Sequence, residues 1–136
     1  MRDFLDTNIL VYANDAADLR KQEVALDCVH THIRDGTGVV STQVMQEYAV
    51  NGIRKLRQAI PVVMHQLHLI ESLHVVTINP NLVRRGLEIK SMYGLDYWDS
   101  LIIAAAESAG CDRLLSEDFN TGQFYCGIRT LNPFEA

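Results

Sequence analysis

Asp35-Gly36-Thr37-Gly38-Val39-Val40-Ser41-Thr42 sets a helix stop, a short strand and a helix start side by side in residues 35–42. Glycine is a natural helix terminator, so Asp35-Gly36 closes the segment before it. Gly38 to Ser41 then reads as a strand, and Thr42 to Leu56 as a helix. Working toward the N-terminus, residues 18–34 form an amphipathic helix with Leu19, Val24, Leu26, Val29 and Ile33 at its apolar positions. Thr7 to Ala13 is a shorter helix broken at Asn14-Asp15, and residues 2–6 are a short buried strand.

Toward the C-terminus, residues 61–72 are helical, opening at Pro61 where proline is tolerated. His74-Val75-Val76-Thr77-Ile78 is a β-branched strand. Asn79-Pro80 opens a helix to about Met92, closed by Gly94; Asp96 to Ala109 is the most apolar helix, stopped by Gly110. Residues 113–116 give a fourth strand and 124–131 a fifth. Strands alternating with helices predict an α/β fold. The expectation is a three-layer α/β/α sandwich with a central, mostly parallel sheet of four to five strands, one domain over residues 1–136.

Composition narrows the classes. With 48% hydrophobic and 21% charged residues the chain is ordinary globular material. No apolar run approaches the roughly 18 residues of a membrane span. The opening Met1-Arg2-Asp3-Phe4-Leu5-Asp6 lacks the pattern of a signal peptide, so a cytoplasmic location without membrane attachment is expected. Three cysteines, Cys28, Cys111 and Cys126, without CxxC spacing argue for reduced thiols rather than a disulfide framework or zinc knuckle. The net charge of −5 runs against broad phosphate neutralisation, for which a basic surface is usual. Taken alone, charge points away from nucleic acid.

Open parallel sheets collect ligands at the carboxyl ends of their strands. There the first strand ends in Asp6-Thr7-Asn8, the second leads through Ser41 to Glu47, and the fourth ends in Ser116-Glu117-Asp118. Asp99 stands in the first turn of the apolar helix. Carboxylates brought together repel unless a cation sits between them, and magnesium or manganese suits oxygen donors. Each acid also has a structural use. Asp6 and Asp96 can cap the helices that follow them. Glu47 does not fit a capping box and shares its face with Gln43 and Asn51, as a solvated glutamate would. Asp99 is in line with Ile102, Ile103 and Ala106, where an unpartnered charge is costly. Of Glu117 and Asp118, one is expected to be solvated.

These segments resemble the motifs of the PIN-domain family, and among its members the toxin ribonucleases of VapBC-type toxin–antitoxin pairs. Phe4-Leu5-Asp6-Thr7-Asn8-Ile9-Leu10 is similar to the family's opening, and Ser41 to Glu47 to its second motif. Tyr93 to Ala106 resembles the third motif, and Leu114 to Gln123 the fourth. The resemblance implies catalytic, metal-holding acids at Asp6, Glu47, Asp99 and Asp118, with Glu117 the bystander. It makes Thr7, Asn8 and Ser116 supporting groups and Asp96 a possible outer acid. It further implies one or two Mg2+ or Mn2+ ions, an RNA substrate cut at its phosphodiester bonds, a cognate antitoxin and a homodimer.

Arg54-Lys55 with Arg57, and Arg84-Arg85 with Lys90, are candidate RNA contacts, though charge runs usually face water. His65 and His68 lie three apart but lack an acid to complete a metal site, and His30 and His32 do not share a helical face. Tyr97 and Trp98 read as packing or dimer contacts rather than base-stacking platforms. A metal-dependent DNA nuclease and a non-catalytic PIN-like binding module are the rival functions. A phospho-acceptor receiver domain would need a lysine after its last main strand, where this chain has Ser116-Glu117-Asp118.

Overall fold

Phe4, Leu5, Val39, Val40 and Leu114 are all but fully buried, and they form the centre of the sheet around which everything else is arranged. The computed structural model describes residues 1–135. Its strands are β1 (Asp3–Leu5), β2 (Gly38–Ser41), β3 (His74–Val76), β4 (Arg113–Leu115), β5 (Phe124–Tyr125) and β6 (Ile128–Leu131). Its helices are α1 (Thr7–Ala13), α2 (Leu19–Asp35), α3 (Thr42–Arg54), α4 (Ile60–Ile70), α5 (Pro80–Tyr93) and α6 (Tyr97–Ser108). The sheet order is β3-β2-β1-β4-β6-β5. All neighbours are parallel except the β5–β6 pair. Helices α5 and α6 pack on each other, while α1 packs on α2 and α3, and α3 on α4, giving the expected three layers.

Two sequence expectations need correction. Residues 124–131 are not one strand but a hairpin, so the sheet has six strands rather than four or five. The chain reverses at Cys126 (φ 52°) and Gly127 (φ 78°), the paired left-handed residues that a two-residue hairpin turn requires. The inward face of α2 is only partly the expected one: Val24 and Val29 pack against the core. Leu19, Leu26 and Ile33 are exposed, and the buried residues of the helix are Ala25 and His32. Leu26, Val29 and Ile33 instead border an open groove with Leu69 and Ile70 of α4.

The cause lies at Gly38. A β-carbon there would sit 2.6 Å from Leu73 Cδ2 and 2.8 Å from His32 Cβ, so only glycine lets α2 and β2 approach this closely. Among the described residues, no helix is long and apolar enough to cross a membrane.

Candidate active site

Strand order reverses at β1: β2 and β3 lie on one side of it, β4 and β6 on the other. Such a switch point leaves a crevice at the carboxyl ends of the strands. Asp6 leaves β1 directly into α1 and caps it, its Oδ1 accepting from the Thr7 backbone N–H at 2.8 Å. Asp6 Oδ2 accepts from the Ser116 hydroxyl, just past β4, at 2.7 Å. Capping and site duty therefore fall on one residue. Thr7 Oγ1 donates to Glu47 Oε1 at 2.6 Å. Asn8 Nδ2 reaches Ser116 Oγ at 3.1 Å and Asp118 Oδ2 at 3.2 Å. The Asp-Thr-Asn run thus holds one acid itself and fastens two others.

Glu47 is no solvated helix residue. Besides Thr7, its Oε2 accepts from Gln43 Nε2 at 3.3 Å, and Gln43 Nε2 also donates to the Trp98 carbonyl at 3.1 Å. Gln43 bridges α3 to the helix carrying Asp99, and its Oε1 is buried with no partner among the described residues. Asp99 is half-buried in the first turn of α6. Asp96, as the capping alternative predicted, accepts from the Trp98 N–H at 2.8 Å and is exposed. Asp6, Glu47, Asp99 and Asp118 all line one cavity of roughly 450 Å³; Asp96 does not.

Electrostatics distinguishes Asp6 and Asp99 from ordinary surface carboxylates. Burial pushes Asp6 up to about 7, against the pull of its Ser116 and Thr7 hydrogen bonds and with added repulsion from Glu47 and Asp118. Burial, then Asp96, Asp118 and Glu47, raises Asp99 as well. The side chains are not drawn into a closed cage: among the described residues, no three His, Cys, Asp or Glu groups stand close enough to hold an ion together. What the cavity offers is carboxylate, hydroxyl and amide oxygen without histidine or thiolate, a donor set that fits a hard divalent cation keeping part of its water.

Other expectations fare unevenly. Glu117 also lines the cavity, where it accepts from the Tyr12 hydroxyl and pairs with Lys21 Nζ, both at 2.9 Å, while its neighbour Asp118 is the exposed member of the pair. Of the basic clusters, Arg85 is committed to Glu107 and Glu88, whereas Lys55 lines the acid cavity. His65 and His68 are exposed, and the three cysteines are free thiols. Tyr12, Gln43, Gln46 and Asn51 are polar lining residues that sequence reasoning did not assign to the site, while Lys55 had been named only as part of a basic run that could contact RNA. Gln43 and Asn51 left a trace, as same-face neighbours of Glu47.

The opposite end of the sheet shows what a neutralised acid looks like here. Asp3, at the start of β1, accepts from Arg113 at 2.6 and 2.9 Å and from His32 Nε2 at 2.9 Å. Burial would raise Asp3, but the Arg113 and His32 bonds outweigh it and hold the carboxyl at about 2. His32, bonded to Asp3 and to the Cys28 carbonyl, is raised to about 10 and is an imidazolium at neutral pH.

Comparison with known proteins follows the same lines. A family model described as PIN domain matches residues 4–124. Among curated protein sequences, none matches the chain. A toxin–antitoxin complex from Klebsiella pneumoniae is similar in structure, with TM-score 0.69 and 19% identity over 98% of this chain and 99% of that one. VapC20 of Mycobacterium tuberculosis, a sarcin–ricin loop cleaving toxin, has TM-score 0.65 and 16% identity over 82% and 86% of the two chains. DNA-bound VapBC from Salmonella typhimurium has TM-score 0.66 and 14% identity over 98% of each chain.

Proposed function

The chain belongs to the PIN domain family, and from that premise we propose that it is a divalent-metal-dependent endoribonuclease, the VapC-type toxin of a type II toxin–antitoxin pair. One observation carries the reading. Four acids from separate segments border a single cavity, and the most buried of them, Asp6, is held near neutrality instead of being paired with a cation. A fold with no use for that repulsion would have neutralised it, as at Asp3.

Asp6 and Asp99 are the proposed principal ligands of Mg2+ or Mn2+, with Glu47 and Asp118 as further ligands or holders of coordinated water. When bound, the ion activates water for attack on phosphorus and neutralises charge on the phosphoryl oxygens. The protein's own part is positioning. Ser116 and the Thr7 N–H fix both oxygens of Asp6, while Thr7 Oγ1 and Gln43 Nε2 fix both oxygens of Glu47. Asp6 holds its proton up to about pH 7, so a cation held by its carboxylate would compete with that proton. A cytoplasmic location, an antitoxin partner and a homodimer go with the reading; relatives of like fold are complexes of toxin with antitoxin.

The test is digestion of single-stranded RNA and DNA side by side, in magnesium, manganese and EDTA, by the wild type and by Asp99→Asn. Metal-dependent cutting of RNA by the wild type alone is expected. Full activity of Asp99→Asn removes the assignment, and cutting of DNA only makes the chain a deoxyribonuclease.

A further inference from the structure

A polyanion entering a pocket walled by carboxylates meets repulsion that bound cations relieve only at the scissile phosphate. The phosphates on either side need a counter-charge from the protein. Lys55 is the one lysine or arginine among the residues that line the cavity. Three observations single it out from the chain's other basic residues.

The first is that Lys55 is uncommitted. Among the described residues it makes no ion pair, whereas Lys21, its nearest rival on the Tyr12 side, is tied to Glu117 at 2.9 Å. The second is that its ammonium, on an exposed side chain, faces the aromatic ring that Lys21 approaches from its own side at 4.5 Å. It lies 5.4 Å from the centroid of the Tyr12 ring, within cation–π range, and Tyr12 is itself pinned by its hydroxyl bond to Glu117 at 2.9 Å.

The third is the turn that delivers it. After α3 the backbone N–H groups of Lys55 and Leu56 both donate to the Asn51 carbonyl, at 2.8 and 3.0 Å. Tyr48 OH then donates to Gln58 Oε1 at 2.9 Å across a left-handed Arg57, φ 55°. Left-handed backbone at a non-glycine residue costs energy and persists where the surroundings enforce it. Attraction to the carbonyl end of α3 accounts for Arg54 in the last turn, but it does not explain a lysine aimed at an aromatic ring on the rim of the acid cavity.

We propose that Lys55, seated over the Tyr12 ring, is the binding site for the phosphate adjoining the scissile one in a single-stranded RNA substrate, and so sets the direction in which the strand lies across the acids. This rests on the ribonuclease reading. Tyr12 and Glu117 act through Lys55 as its positioning residues.

The experiment measures kcat/KM for a labelled single-stranded oligoribonucleotide with magnesium over a range of salt. It compares the wild type with Lys55→Gln, Lys55→Arg and a control of equal charge change, Arg34→Gln. Arg34 is exposed, paired only with its neighbour Asp35, and lies near the start of β2, away from the cavity. Losing one phosphate contact to a single strand lowers the salt slope by about 0.7, equivalent to about five-fold in kcat/KM at 0.1 M salt.

Lys55→Gln should show that loss in KM with kcat and manganese affinity kept. Lys55→Arg should restore it, and Arg34→Gln should match the wild type. Cleavage by the wild type with Lys55→Gln indistinguishable from Arg34→Gln overturns the inference and leaves the ribonuclease reading standing. A wild type that neither cuts nor retains RNA removes both.

Discussion

Replacing Asp6 by asparagine should stabilise the metal-free protein, by an amount that grows with pH. Burial drives the shift and the neighbouring acids add to it, so the native state holds the Asp6 proton up to about pH 7. The unfolded chain releases it near 3.8. A carboxyl whose folded value is raised binds its proton more tightly when folded, so stability falls as pH climbs from 3.8 to about 7 and is level above. At about 1.36 kcal/mol for each pH unit of displacement, the ionised Asp6 costs the fold roughly 4 kcal/mol at pH 8. Asparagine has no such titration. The stability gap between Asp6→Asn and wild type should therefore widen by on the order of 4 kcal/mol between about pH 4 and pH 8. Urea unfolding in EDTA, followed by the fluorescence of Trp98, reads the gap at each pH. Saturating manganese should close much of it for the wild type, since a ligand at a hundred times its Kd stabilises by about 2.7 kcal/mol. A gap that stays constant with pH would refute the placement of an unneutralised carboxylate at this position.

Three further outcomes follow from the same geometry. Asp99→Asn should abolish metal-dependent cleavage while circular dichroism and the thermal midpoint hold or rise, because a half-buried, repelled charge is removed; a lost fold would refute this. Thr7→Val deletes the 2.6 Å donor to Glu47 and should weaken manganese affinity by about ten-fold with the fold intact, measured by calorimetry. His32→Gln breaks a buried ion pair and should cost about 3 kcal/mol at pH 6. Because the folded value of His32 is raised from 6.5 to about 10, its contribution is full below 6.5 and fades as pH rises through about 10. The deficit should therefore shrink in urea unfolding at pH 10.

Much of the fold was legible because its punctuation is local. Asp35-Gly36, Asn79-Pro80 and Asp96 mark helix ends by hydrogen-bonding and backbone preferences that operate within a few residues, and the structure keeps each within a residue or two. The errors were non-local. Apolar periodicity in α2 pointed to Leu19, Leu26 and Ile33, but the helix is rolled so that His32 reaches Asp3 across the sheet, a pairing that no hydrophobic pattern encodes. The hairpin at Cys126-Gly127 carried a glycine signal, masked by a cysteine in a position usually filled by asparagine or aspartate. At the cavity, Asp6 and the Glu117-Asp118 pair were legible from their places at strand ends, whereas Glu47 and Asp99 stand in helices and were singled out, with Asp118 over Glu117, by the family resemblance. Gln43 and Tyr12 were not legible, because a helical glutamine and tyrosine look like surface residues until the cavity is seen to pass beside them, and Lys55 was legible only as one member of a basic run.

Two aspartates on and just after one short strand set the two ends of the sheet apart. Asp3 and Asp6 flank β1, roughly 10 Å apart at strand spacing, and both are buried. Their surroundings differ in one respect. Asp3 is given a guanidinium and an imidazolium and is held at about 2. Asp6 is given only a hydroxyl and a backbone N–H, with further carboxylates behind them, and is pushed to about 7. Dipoles orient a carboxylate without cancelling its charge. The sequence therefore had the means to neutralise a buried acid on this strand and used them at one end only. The end left uncompensated is the switch point of the sheet, where among the described residues four other acids, Glu117 of them paired with Lys21, meet a lysine without an ion pair. A proton can fill that gap at low pH, and at neutral pH a divalent cation does so better, because it interacts with several carboxylates at once and a proton with one.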